Sequence, residues 1–232
     1  MDVVQTSMLL LLLAALGATV EPSPENCHGL NATLRREHLH KVFGDWVLVW
    51  GVTNNNEELN FMQNVSSSHL ELRLLADNKT VTYTERNMHK NASCTTYVFN
   101  MSLTDDHILR ALTVSATVET GGVVSPYIEN GFIVFHETCD GCLSLSYIEV
   151  TEDLFPNITY LLKYRREGHH LDVDVLKEDH NNHTRHAKCD GYSTDDEPFI
   201  YDGAADFCHK TSGAEPIVGV EPTVLVQPAA ES

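Results

Sequence analysis

Residues 41–53 read KVFGDWVLVWGVT, and the fold turns on this stretch. Gly44 can take backbone geometry closed to other residues. Two positions on, Trp46 supplies a bulky apolar plug whose indole N–H still needs a partner. The pattern is that of a chain entering the closed end of a barrel. Successive strand side chains point to opposite faces, so Trp46, Leu48, Trp50 and Val52 are expected to share the inner face, with Val47 and Val49 on the outer one.

The rest of the chain reads as further strands of the same kind. Residues 68–76 and 80–86 flank the turn-rich Asp77-Asn78-Lys79, and residues 94–102 and 107–118 flank Thr104-Asp105-Asp106. Residues 131–138 and 142–150 are joined by Asp140-Gly141, which suits a tight hairpin turn. Residues 157–165 make the eighth strand. Consecutive strands without intervening helices predict an all-β, eight-stranded, antiparallel up-and-down barrel, because closure removes exposed sheet edges. Residues 54–58 read as a polar loop at its mouth, and residues 33–42 as a short helix across its floor.

The 232 residues suit one domain. Residues 1–20 carry an apolar run too short to span a bilayer and are read as a signal peptide. The barrel domain is expected over 21–210 and a disordered tail over 211–232, where proline recurs without any period. A formal charge of -18 argues against nucleic acid and anionic membranes and would attract cations. No later stretch is long and apolar enough to embed in a membrane. The expectation is a secreted, extracellular monomer. Six cysteines in that setting imply disulfides, whose pairing spacing alone does not resolve. Sequons begin at Asn31, Asn64, Asn78, Asn91, Asn100, Asn157 and Asn182, which predicts a heavily glycosylated surface.

The Gly44-Asp45-Trp46 triplet resembles the first signature of the lipocalins. The ordered set Cys27, Asn31-Ala32-Thr33, Gly44-Asp45-Trp46, Asn78-Lys79-Thr80, Cys94-Thr95-Thr96-Tyr97, Cys189 and Cys208 is similar to the orosomucoid (alpha-1-acid glycoprotein) branch of that family. That branch includes fish tributyltin-binding and pufferfish saxitoxin- and tetrodotoxin-binding proteins. The resemblance implies a plasma protein with a calyx fold, and pairings of Cys27 with Cys189 and of Cys94 with Cys208. It also implies a basic residue stacked on the floor tryptophan, for which Arg166 is favoured over Arg165. His136-Glu137-Thr138 matches the second family signature poorly. After Gly168 the chain starts like a strand and continues like a helix; with the resemblance it is read as a C-terminal helix over 172–188.

Cys139 and Cys142 depart from the two-disulfide pattern of orosomucoid. A redox CxxC belongs at a helix start and a zinc site needs further ligands, so a local disulfide at a hairpin end is expected. His180, His183 and His186 recur at a spacing that could chelate a metal. Asn182 begins a sequon among them, so exposed titrating histidines are the expected reading. No metal or cofactor is expected. The chain carries no GxSxG, HExxH or phosphate-binding glycine loop, and catalysis is not expected.

The calyx remains as the working part. Inward alternation proposes Leu48, Trp50, Leu70, Leu72, Leu74, Tyr83, Phe99, Ile108, Arg110, Leu112, Leu145, Tyr147, Tyr160, Leu162 and Tyr164 as ligand-facing residues. Arg110 matches an inward arginine that the resemblance implies. The expected activity is reversible capture, for transport or sequestration, of a hydrophobic or amphiphilic small molecule, including xenobiotics or toxins. Negative charge would assist an organic cation and an inward Arg110 would oppose it. The alternative is an acute-phase or immunomodulatory glycoprotein acting through its surface and glycans.

Overall fold

The structure is a computed structural model, and it describes residues 27–208 apart from 31, 129, 151–156 and 194. The expected signal peptide, the expected tail and the Asn31 side chain therefore lie outside the described residues. The strands are β1 (Gly44–Thr53), β2 (Val65–Leu74), β3 (Thr80–His89), β4 (Cys94–Leu103), β5 (Arg110–Thr120), β6 (Val123–Tyr127), β7 (Gly131–His136), β8 (Cys142–Glu149), β9 (Ile158–Arg166) and β10 (Phe199–Ile200). Among the described residues the α-helices are α1 (Asn56–Asn64) and α2 (Val173–Cys189).

Neighbouring strands are antiparallel in the order β1-β2-β3-β4-β5-β7-β8-β9, and pairing of β1 with β9 closes the eight-stranded barrel. β6 pairs only with the distal half of β5, through a turn in which Gly121 and Gly122 both have positive φ. Paired positive φ values are what a tight hairpin turn needs. β10 adds to β1 at Trp50 and Gly51. Neither β6 nor β10 was expected from the sequence.

Three local expectations need correction. Residues 56–64 are helical, because the Asn55 side chain accepts from the backbone N–H groups of Glu57 and Glu58 and two acidic residues occupy the first turn. At the floor only Arg36–Lys41 is helical, as a 3-10 turn, while Thr33 and Arg35 form single bridges to His136 and Ile108. β2 starts at Val65, directly after α1.

The floor is built from the opening stretch and the end of β9. Trp46 is buried, its indole N–H donates to Val42 O at 2.9 Å, and the Arg166 guanidinium carbon lies 4.2 Å from its ring centroid. Gly44 has φ +130°, and a Cβ there would collide with the Arg166 guanidinium. Leu70, Leu72, Leu145 and Tyr164 belong with Trp46 to the main core. A second core of Val49, Trp50, Val52, Leu161 and Ala187 joins the outer wall to α2.

Disulfides link Cys27 to Cys189, Cys94 to Cys208 and Cys139 to Cys142. The first two tie the N-terminal leader to the end of α2, and the start of β4 to the C-terminal segment. Each closes a long loop and is worth about 2–4 kcal/mol. No helix among the described residues is long and apolar enough to cross a membrane.

Candidate ligand-binding site

One step up the barrel from Trp46 and Leu70, the inward side chains stop filling the interior. Leu48 and Ser68 border a cavity of about 310 Å³, within the range of small-molecule sites. β3 contributes Tyr83, Glu85 and Asn87, and β4 contributes Tyr97, Phe99 and Met101. β8 supplies Tyr147 and Glu149, and β9 supplies Tyr160, Leu162 and Tyr164. Glu58, Phe61 and Met62 from α1 stand over the mouth, with Val65, Tyr127 and Ile133 completing the lining.

The polar centre is Glu85. Its Oε2 accepts from Tyr83 O–H at 2.5 Å and its Oε1 from Asn87 Nδ2 at 2.7 Å, and Tyr83 and Tyr164 hydroxyls are 3.4 Å apart. Burial, with Glu85 nearby, pushes the Tyr83 and Tyr164 phenols well above the ordinary range. Burial and then Glu58, which also accepts a hydrogen bond, raise Tyr160. These phenols stay neutral and remain donors. Aromatic faces pack edge-on around them, with Tyr83 and Phe99 centroids 5.5 Å apart and Tyr97 and Tyr127 5.4 Å apart. Among the described residues that line the cavity there are carboxylates and no lysine, arginine or histidine.

Of the expected residues, Leu48, Tyr83, Phe99, Tyr147, Tyr160, Leu162 and Tyr164 border the cavity. Leu70, Leu72 and Leu145 point the same way but sit in the packed floor, with Leu74 half-buried at its edge. Trp50, Ile108, Arg110 and Leu112 do not border it. In β1 the register shifts between Leu48 and Trp50 against β9, so one extra residue reverses the alternation. Trp50 and Val52 therefore face α2, and Gly51 faces inward, where a Cβ would meet Met62 Cε at 2.6 Å. In β5, Ala111 belongs to the buried inner core, as does Leu109 just before the strand. Arg110 and Leu112 are thus on the opposite face, Leu112 being 45% exposed, and Ile108 pairs with Arg35.

Glu85, Asn87 and Tyr97 share faces with residues that were chosen, but a list built on hydrophobicity passes over polar lining positions. The α1 contributors carried a weaker signal, an Asn cap ahead of Glu-Glu. The C-terminal histidines also need correction: His186 is 5% exposed and His183 packs against Trp50, so they belong to the interface of α2 with the barrel. Elsewhere, Asp45, His69 and Glu167 bring ligand atoms within 4.8 Å of one another, with Arg73 2.7 Å from Asp45. This reads as an ion-pair network. Asn64, Asn78, Asn91 and Asn182 are exposed, and Asn100 and Asn157 partly so.

Comparison with known proteins places this geometry. No family model matches the chain. Saxitoxin and tetrodotoxin-binding proteins 1 and 2 of Takifugu pardalis are each 40% identical to it over 215 residues, 93% of this chain and 52% of theirs. Among solved structures, lipocalin 12 from rat epididymis superposes with a TM-score of 0.57 at 13% identity, covering 79% of this chain and 95% of that one. The chain has the lipocalin fold. A second solved structure, the siderocalin Ex-FABP, gives a TM-score of 0.51 at 11% identity, covering 72% of this chain and 97% of that one. The chain spans about half the length of the curated relatives it matches.

Proposed function

We propose that this chain is a secreted, glycosylated, non-catalytic lipocalin carrier whose calyx captures a small amphiphilic organic cation. The observation that carries the reading is Glu85. Its two oxygens are held by the neutral donors Tyr83 and Asn87, deep in an aromatic cavity whose lining has no basic side chain. A carboxylate in such a site favours a cationic guest, and aromatic faces add attraction for it. Burial of apolar ligand surface supplies the remainder, at about 25 cal/mol per Å² before costs. With Arg110 on the outer face, the main objection to a cation disappears. The names of the Takifugu relatives, which state binding of saxitoxin and tetrodotoxin, support capture of small organic molecules.

Dansylcadaverine and dansylglycine carry one fluorophore on a cationic and an anionic tail, and their titration tests the reading. The cation is expected to bind about 10-fold tighter or more, a difference of about 1.4 kcal/mol, and Glu85→Gln is expected to remove the preference. Equal binding of both probes, unchanged in Glu85→Gln, would overturn it.

A further inference from the structure

A second buried polar cluster lies outside the calyx, between α2 and the outer wall. Lys163 on β9 is 6% exposed, and its Nζ donates to Ser144 Oγ on β8 at 2.6 Å. The same Nζ is 2.6 Å from His186 Nδ1 on α2, and His186 Nε2 is 3.1 Å from Asp190 Oδ2. His136 on β7 pairs through Nε2 with Ser146 Oγ at 2.8 Å and meets the His186 ring edge-on at 5.7 Å. One turn away His183 packs on Trp50 at 5.6 Å, with His180 nearby and Arg165 paired to Asp179. Burial holds Lys163 down to about 7 and, with Lys163 beside them, His136 and His183 to about 4. The packed state is therefore the deprotonated one. Protonation of Lys163, His136 and His183 beside Arg165 would gather positive charge in this seam, with Asp179 and Asp190 there to offset it.

This cluster is mechanically connected to the mouth. Trp50 packs against α2 on the outer side, and Trp50 and Gly51 pair with Ile200 and Phe199 of β10. On the inner side Gly51 leaves no room for a Cβ beneath Met62 of α1. Gln63 of α1 also donates to Glu197 O, just ahead of β10, at 2.9 Å.

We propose that the seam between α2 and the barrel is an acid-operated clasp: proton uptake by Lys163, His136 and His183 loosens α2, and the β1 segment at Trp50 and Gly51, with β10, passes that loosening to α1, opening the mouth. Release of ligand by this route rests on the reading of the calyx as a binding site. The loosening of α2 does not. Cys27–Cys189 keeps α2 tethered, so the clasp can close again when pH rises.

Amide hydrogen exchange on the ligand-free protein at pH 7.5 and pH 5, corrected for intrinsic rates, reads the clasp directly. Exchange in α2 is expected to rise about 10-fold or more at pH 5, with a parallel rise in α1, following the opening free energy of local units. Dansylcadaverine release, followed by stopped flow, is expected to accelerate over the same range. Lys163→Met combined with His136→Gln and His183→Gln is expected to flatten all three responses. That variant leaves the lining of the calyx, Glu85 included, intact. Should the triple variant be too unstable to study, His183→Gln alone is expected to blunt the α2 response.

Unchanged protection of α2 at pH 5 in the wild type would overturn the proposal. So would α2 exchange that rises while α1 and release stay constant, or release that accelerates equally in the triple variant. Failure of dansylcadaverine to bind at pH 7.5 would instead sink the carrier reading, with the exchange data still deciding the clasp.

Discussion

Arg166 lies over Trp46, its guanidinium carbon 4.2 Å from the ring centroid, and the two residues are also register partners across the seam that closes the barrel. The same guanidinium donates to Phe43 O at 3.3 Å and Lys41 O at 3.4 Å, fastening the chain where it turns into β1. Arg166→Met keeps the apolar stem and loses the planar cation, and is expected to lower stability by about 1–2 kcal/mol. Gly44→Ala is expected to cost at least as much, since it meets both the positive φ and the guanidinium. Urea denaturation of the two variants checks this; no loss in either would show that the floor does not depend on the stack.

Trp50 serves the outer wall, so its removal separates stability from binding. Trp50→Ala is expected to lower stability by about 3–5 kcal/mol, as truncation of a buried aromatic does. The affinity of whatever folded protein remains for dansylcadaverine is expected to stay within about twofold, because no cavity wall is lost. Thermal melts alongside titration at a temperature where the variant is folded make the comparison. Lost affinity with preserved stability would return Trp50 to the calyx.

Lys163 imposes a pH dependence whose direction follows from its burial. Its ordinary value is 10.5 and the fold holds it to about 7. Between those values the unfolded chain binds the extra proton, so native stability falls as pH drops through that window and the penalty is complete below about 7. His136 and His183, held to about 4 against 6.5, continue the decline from 6.5 down to 4. Lys163→Met is expected to raise stability at pH 7 by about 1–3 kcal/mol, as replacement of buried charge by matched apolar volume does. The slope between pH 7 and 10 should flatten as well, read from urea midpoints at several pH values. A slope unchanged by the substitution would assign the dependence to other groups.

Much of the barrel was legible because its signals are local. Alternation along residues 80–86 and 142–150, the Asp140-Gly141 turn and the Gly44-Asp45-Trp46 floor need no partner to be read, since a strand half-buried on one face declares itself in period two. The aromatic walls at Tyr83, Phe99, Tyr147, Tyr160 and Tyr164 follow from that period. Their acidic companions Glu58 and Glu85 did not, because a polar residue facing a cavity looks like one facing solvent until the opposite wall is in place.

The order of the strands, the closed end and the general character of the lining were thus set by the one-dimensional pattern. Tertiary pairing decided which way the pattern pointed after each irregularity. One extra residue between Leu48 and Trp50 turned an expected ligand contact into the seat of α2, and the register of β5 sent Arg110 outward, leaving Glu85 in a lining without basic residues. The physical reason is that a bulge costs little in the strand that carries it yet reverses every side chain beyond it, and its position depends on the neighbouring strand, which local periodicity cannot report.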